Sequence, residues 1–223
     1  MAKYLQGIMG GFTGKIGPVV GSSRNGVPYI KGKGKPRTGP VGEKELATRN
    51  KFATGHAWLK PLLPLLRVGF NGYSQTTYGY NAAKSYNFKH AMENGKMIPS
   101  RVKLSSGDLP FSLNLSVVLE TSENPNWNES LPANQAINRS LRFSWSPAYI
   151  EGASNKDQIM VLAYHPESGI AIQEIHGAFR ESGEQRLKLT SELAGKSVYV
   201  YAAFVAADRS RQSDSVFLGE YVP

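Results

Sequence analysis

The chain has 223 residues, of which 40% are hydrophobic and 19% are charged, a balance typical of folded proteins. It contains no cysteine, which excludes disulfides, thiolate metal sites and cysteine nucleophiles. The net charge of +9 is unevenly divided, because residues 1–104 carry 17 Lys and Arg against 3 acids and residues 105–223 carry 9 against 14. This division favours an anionic partner or attraction between like chains.

The N-terminal region lacks the unbroken apolar run of a secretory signal peptide, since Gly7, Gly10 and Gly11 interrupt it. No stretch of the sequence approaches the roughly 20 apolar residues of a membrane helix. We therefore expect no membrane insertion and a cytoplasmic location by default, or release or export as part of an assembly.

Residues 4–36 have the pattern of glycine-punctuated β structure. An Asn-Gly pair separates the β-rich runs Val19–Val20 and Val27–Ile30, and this pair is the strongest short hairpin signal. The basic Gly/Pro segment KGKGKPRTGP follows and is typical of a linker.

The segment around Lys15 resembles a phosphate-binding loop only at first sight. A Walker loop requires glycine where this chain has Met9, and it requires Ser or Thr where this chain has Ile16. A nucleotide site is therefore not predicted at this loop.

Two helices are predicted downstream of the linker. The first covers residues 43–59, and Pro61 ends or kinks it. The second covers residues 81–93 and closes with Gly95 as its C-terminal cap. An aromatic, polar loop lies between the two helices.

From about residue 98 the hydrophobic period changes to two, with about seven strands in the segments LNLSVVLE, LRFSW, QIMVLAYH, IAIQEIH, RLKLT, SVYVYAAFVA and SVFLGEYV. We predict an α+β fold, in which a basic Gly-rich β-hairpin and two or three helices precede an antiparallel β-sandwich of about seven strands. The predicted domains are a basic assembly module over 1–97 and an immunoglobulin-like or fibronectin III-like sandwich over 98–223.

Catalytic motifs are not apparent. The four histidines are scattered without metal-ligand spacing, and we interpret each as a structural or surface residue. Metal binding by two or three of them in the folded chain stays open. No cofactor, metal site or catalytic residue is predicted, and the chain is interpreted as non-enzymatic.

The basic arm and a set of aromatic side chains are the candidate binding residues. Positive side chains in the arm have the chemistry to bind phosphates or a partner chain: Lys15, Arg24, Lys31, Lys33, Lys35 and Arg37. Aromatic side chains interleaved with lysines are candidates for an interface or for stacking on bases: Tyr73, Tyr78, Tyr80, Tyr86 and Phe88.

Two resemblances are carried by longer segments. The segments SLRFSWSP, with Trp145, and VYVYAAFVAADRSRQSDSVFLGEYV resemble a fibronectin type III or related immunoglobulin-like module. Nearly the whole chain resembles a family of bacterial proteins known only as a domain of unknown function, through GIMGGFTGKIGPVVGS with NGVPYIK, RNKFATGHAWLKPLLPLLRVGFNGY, NAAKSYNFKHA and SVFLGEYV. The second resemblance implies a two-part protein without assigned catalytic residues.

We interpret the protein as a structural or self-assembly protein that forms a homo-oligomer. In this interpretation the basic N-terminal module makes subunit contacts and the sandwich presents an outer face. Two alternatives stay open: a nucleic-acid-binding protein that uses residues 1–40, and a sandwich that binds a glycan or surface ligand, for example through Trp127.

Overall fold

The computed structural model describes residues 3–4, 10–24, 26–36, 38–75, 77–123 and 137–223. Its helices and small antiparallel sheets confirm the predicted α+β class. The chain divides into two compact units, residues 1–43 and residues 44–223. This division differs from the predicted boundary near residue 98, which stays a prediction.

The first unit is a small antiparallel sheet in the order β1-β2-β3-β4, formed by Lys3–Tyr4, Phe12–Ile16, Val19–Arg24 and Val27–Gly32. Arg24 pairs with Val27 across the predicted Asn-Gly turn, so the hairpin is confirmed. Gly26 has φ +81°, which suits glycine, whereas Asn25 lies outside the described residues. Gly21 lies beneath the ring of Phe12, where an added Cβ would be 2.5 Å from ring carbon Cδ2.

The second unit begins with helical structure. Helix α1 covers Glu43–Leu59, as predicted, and Pro61 lies in a 3₁₀ turn that separates it from α2 (Leu63–Gly69). Helix α3 covers Gly79–His90, so it begins two residues earlier and ends three residues earlier than predicted. In the described part of the chain, no helix combines the length and apolar character needed to cross a membrane.

Gly95 is not the cap of α3, which corrects the prediction. The helix ends at His90, and the N–H of Ala91 donates to the carbonyl of Asn87. Asn94 (φ 48°) and Gly95 (φ 77°) instead form the turn between β5 (Met92–Glu93) and β6 (Lys96–Met97). Two consecutive left-handed residues match the twist of a tight hairpin, and Asn-Gly is the pair that accepts them most readily.

A sandwich of seven antiparallel strands follows, as predicted. Its three-stranded sheet has the order β11-β8-β7 and its four-stranded sheet the order β10-β9-β12-β13. The strands are β7 (Ser116–Glu123), β8 (Ile137–Ser144), β9 (Gln158–His165), β10 (Ile170–Glu174), β11 (Glu184–Leu189), β12 (Val198–Val205) and β13 (Val216–Tyr221).

Strands β9 and β12 are buried on both faces, because each borders two hydrophobic cores. Along β9, Val161 and Ala163 belong to the core between the sheets, whereas Leu162 and Tyr164 belong to the core shared with the helices. Alternate side chains of a strand point to opposite faces, so the helices cover the outer face of the four-stranded sheet.

Two buried tyrosines tie this sheet to the helical segment. The Oη of Tyr164 donates to the carbonyl of Trp58 at 2.9 Å, and the Oη of Tyr201 donates to the carbonyl of Pro99 at 2.7 Å. Burial raises the pKa of Tyr164 to about 12 and also raises the pKa of Tyr201, where Tyr199 and Tyr164 add to the effect. Both phenols are therefore held in the protonated, donating form.

Candidate functional site

Strand β4 is the edge of the N-terminal sheet, and all six of its residues are exposed. Its sequence VPYIKG is nevertheless rich in apolar side chains: Val27 is 66% exposed, Ile30 is 64% exposed and Tyr29 is 42% exposed. An exposed apolar edge strand is a template for pairing with another chain, because its outer backbone groups have no strand to bond. This edge is the candidate interaction surface of the first unit.

The backbone bonding of β4 follows from one contact at its end. Lys33 N–H donates to the carbonyl of Pro18 at 2.7 Å, so this pair is a hydrogen-bonded position of the ladder with β3. Bonded and non-bonded pairs alternate along antiparallel strands. Lys31 and Tyr29 therefore occupy the positions that bond β3.

The residues between these positions direct their backbone groups away from β3. They are Pro28, Ile30 and Gly32, which pair with Ser23, Gly21 and Val19 in the ladder. Pro28 has no N–H, and a proline is tolerated in a sheet where its nitrogen faces the free edge. Ile30 and Gly32 thus present one N–H and one C=O each to a further strand.

The predicted basic side chains are distributed over three strands of the first unit and the segment after β4. Lys15 lies on β2, Arg24 ends β3, Lys31 lies in β4, and Lys33 and Lys35 follow it; all five are exposed. Among the described residues none of these five forms an ion pair within the chain. Arg37 lies outside the described residues. The available cations can therefore meet anions from solution or from a partner.

Helix α3 distributes the predicted aromatic residues over two faces. Tyr80 and Phe88 face α1, where the Phe88 ring meets Phe52 edge-on at 5.1 Å and Lys84 Nζ lies 4.9 Å from the centre of the Tyr80 ring. His56 Nδ1 lies 3.2 Å from the Oη of Tyr80. Burial raises the pKa of Tyr80.

The other aromatic group lies towards the loop before α3. Tyr86 contacts Tyr73 at 6.2 Å and His90 at 4.6 Å between ring centres, with Lys103 Nζ 5.5 Å above the Tyr86 ring. Tyr78, which is 71% exposed, has no ring contact in the described part of the chain. The five predicted aromatics are therefore not one continuous surface, and a role in an interface stays a prediction.

Lys103 also forms an ion pair with Asp214, with 2.7 Å between Nζ and Oδ2. Burial lowers the pKa of Lys103, but the hydrogen bond and charge of Asp214, with smaller contributions from Tyr86 and Tyr73, outweigh it, so the pKa is raised overall. This pair borders an open polar cleft of about 530 Å³.

A cleft of about 750 Å³ lies beside α1 and the turn between β9 and β10, with Trp58, Tyr199, His165, Glu167 and Glu220 in its wall. The backbone N–H of Ser168 donates to His165 Nδ1 at 3.1 Å, which places the proton of the neutral ring on Nε2. That nitrogen lies 4.0 Å from Glu167 Oε2, beyond hydrogen-bond distance. The wall therefore offers hydrogen-bond donors and acceptors to a ligand.

The described histidines have separate neighbours: Tyr80 for His56, Tyr86 for His90, Ser168 for His165 and Arg209 for His176. Across the ranges that the structure describes, no group of three or more His, Asp or Glu side chains is placed to hold a metal ion. Trp127, the residue suggested for a glycan, lies outside those ranges.

Arg180 is the largest fully buried side chain, and the sequence pattern did not reveal it. Its guanidinium donates to Asp157 Oδ2 at 3.2 Å, to Ser112 Oγ at 2.5 Å and to the carbonyl of Pro110 at 2.9 Å, and it lies 4.2 Å from the centre of the Phe204 ring. Burial lowers the pKa of Arg180, while the charge and hydrogen bond of Asp157 oppose this effect. Every contact is internal, so this pair supports the sandwich rather than a ligand.

Comparisons with known proteins bear on the whole chain. Neither the curated proteins nor the solved structures include a match to it. Residues 11–219 match a family of unknown function (DUF6266), a range that includes β2 to β4, all three helices and most of the sandwich. The chain therefore belongs to this family of unknown function, DUF6266.

Proposed function

We propose that the protein is a structural, self-assembling protein whose N-terminal sheet makes the contacts between subunits. The observation that carries this proposal is the free edge of β4, which exposes Val27 and Ile30 to solvent. Covering these side chains removes apolar surface from water at about 25 cal/mol per Å², and a further strand bonds the outward backbone groups.

The charge of the first unit supports an assembly role with a defined orientation. Residues 1–42 carry seven Lys and Arg and no acid, whereas residues 105–223 carry a net charge of −5. Within an assembly, the basic sheet of one subunit and the acidic sandwich of others attract each other, and the sandwich presents the outer face.

The experiment that tests the proposal is size-exclusion chromatography with light scattering on the full chain and on Ile30→Lys. We expect the full chain to form a defined oligomer and Ile30→Lys to shift it towards the monomer, because each subunit then places an extra charge at the paired edge. Leu113→Lys is the matched control, since Leu113 is 61% exposed and lies in the other unit. A full chain that is monomeric at every concentration contradicts the proposal.

A nucleic-acid-binding protein is the second candidate, because Lys15, Arg24, Lys31, Lys33 and Lys35 form no ion pair with another described residue of the chain. Contact of all seven cations in residues 1–42 with phosphates predicts a slope of roughly −6 for log K against log salt concentration. Absorbance at 260 and 280 nm during the same chromatography separates the two functions. Nucleic acid that copurifies and is lost at high salt favours this candidate.

A further inference from the structure

We infer that the partner of β4 is the β4 strand of a second copy, paired antiparallel about a two-fold axis at Ile30. This inference rests on the proposed function and names the contact that performs it. It follows from the outward backbone groups of β4 and from the side chains that each possible register brings together.

Backbone bonding limits the registers. In a two-fold antiparallel pair, hydrogen-bonded positions must lie opposite each other on the two outward sides. With Ile30 opposite itself, the two Ile30 residues exchange two bonds, and each Gly32 N–H donates to the carbonyl of Pro28 in the other copy. The pair therefore gains four backbone bonds, and neither of the bonds to Pro28 requires its missing N–H.

Side chains favour this register over its neighbours. It places Ile30 opposite Ile30, and Tyr29 opposite Lys31 of the other copy, so that an ammonium group meets an aromatic ring on each side of the axis. No two lysines are directly opposite. Moving the axis one residue towards the C-terminus, to Lys31, also gives four bonds but sets the two Lys31 side chains against each other.

The remaining registers are poorer. An axis at Tyr29 places Pro28 opposite Ile30, where the missing N–H leaves only one bond on each side. An axis at Gly32 sets Lys31 opposite Lys33 of the other copy. The Ile30 axis alone combines four bonds with an apolar centre and without opposed like charges.

Because the chain has no cysteine, single cysteine substitutions can map the contact by disulfide crosslinking without interference from other thiols. Directly opposite residues have Cα atoms about 4.5–5.5 Å apart, within the range of about 4.4–6.8 Å that a disulfide spans. We expect Ile30→Cys to form a disulfide dimer under mild oxidation. We expect Lys31→Cys to crosslink with Tyr29→Cys when the two variants are mixed and to crosslink poorly with itself.

Leu113→Cys is the control for random collision, because its exposed fraction matches that of Ile30. Intact-mass analysis of the oxidised mixtures identifies which pairs have formed. Crosslinking of Ile30→Cys at least ten times faster than of Leu113→Cys, with the mixed 29–31 product, supports the inference. Preferential self-crosslinking of Lys31→Cys overturns the register.

The same samples separate the two proposals. If the full chain is oligomeric and Ile30→Lys dissociates it, but neither Ile30→Cys nor the 29–31 mixture crosslinks, then β4 contacts another surface of the partner; this overturns the inference and leaves the proposed function standing. If light scattering finds a monomer throughout, both are overturned. Ile30→Pro gives a further check, because it removes the outward N–H and the apolar side chain of Ile30 but no bond between β3 and β4. It should therefore abolish the dimer while the β3–β4 hairpin persists.

Discussion

At the scale of single residues, the most consequential side chains are polar groups inside apolar surroundings. Arg180 is 1% exposed and gives its donors to Asp157, Ser112 and Pro110, so its burial is compensated on every side. A buried charge of this kind is tolerated only while all its hydrogen-bond and charge partners are present. An unpaired charge in a core lowers the free energy of unfolding far more than a paired one.

Replacing Arg180 with methionine should therefore destabilise the protein strongly. The substitution leaves the Asp157 carboxylate buried without its cation, which is expected to lower the free energy of unfolding by about 3–5 kcal/mol. Arg186→Met is the control, because the Arg186 ion pairs with Glu120 and Glu184 are exposed and worth less than about 1 kcal/mol. Urea denaturation compares them, and equal losses would contradict the assigned role of Arg180.

The raised pKa of Tyr164 predicts that the protein loses stability at alkaline pH. Its folded pKa of about 12 is above the unfolded value of 10, because burial disfavours the phenolate. The stabilisation is therefore complete below about pH 10 and is lost as the pH rises from about 10 to about 12. Denaturation curves across this range should decline less steeply for Tyr164→Phe, which has no ionisable phenol; parallel declines would contradict the prediction.

At the scale of elements, helix α1 packs on α3 because the backbone of α1 at Gly55 comes close to the ring of Phe88. Gly55 is buried at their crossing, where an added Cβ would lie 2.7 Å from Met92 Cε and closer still to the Phe88 ring. By helix propensity alone, a glycine at position 55 weakens the helix. In the structure its missing side chain is what allows Phe88 to approach.

Gly55→Ala should therefore destabilise the helical segment although alanine is the better helix former. Overpacking costs about 1–3 kcal/mol, which exceeds the gain in helix propensity of about 1 kcal/mol. Thr54→Ala in the same helix is exposed and should be neutral or slightly stabilising. Thermal unfolding measures both, and a Gly55→Ala variant with a raised Tm would show that the two helices separate easily.

At the scale of the whole molecule, the positive charge of the first unit opposes association of two copies, whereas the exposed β4 edge favours it. Two basic sheets that pair through β4 repel each other, and salt screens this repulsion. The Debye length falls from about 10 Å at 0.1 M salt to about 3 Å at 1 M.

Self-association through β4 should therefore strengthen as salt rises from about 0.1 M to about 1 M, whereas attraction between a basic sheet and an acidic sandwich or a nucleic acid should weaken. Analytical ultracentrifugation at several protein concentrations measures the association constant at each salt concentration. Lys33→Gln and Lys35→Gln should reduce the dependence on salt without changing its sign. A constant that falls with salt would show that attraction between the basic sheet and the acidic sandwich dominates the association, and it would overturn pairing of β4 with β4 as the main contact.

Local chemistry in the sequence determined much of the fold of this protein. The Asn25-Gly26 pair specified its hairpin, the apolar period of two specified the sandwich strands, and Pro61 set the end of α1. Each of these signals depends on residues close together in the chain, so the structure that it specifies can be predicted without knowledge of distant contacts. The concentration of unopposed cations in the N-terminal unit was likewise a property of composition.

Tertiary structure decided what depends on neighbours distant in the chain. Arg180 and Asp157 lie 23 residues apart and meet only in the folded sandwich. The hairpin at Asn94-Gly95, by contrast, has a local signal in the sequence, which the helix-cap prediction overlooked. The candidate surface on β4 likewise could not be predicted from the sequence. The register of β4 with β3 decides which of its backbone groups face outward. Both this register and the exposure of Ile30 are properties of the folded sheet.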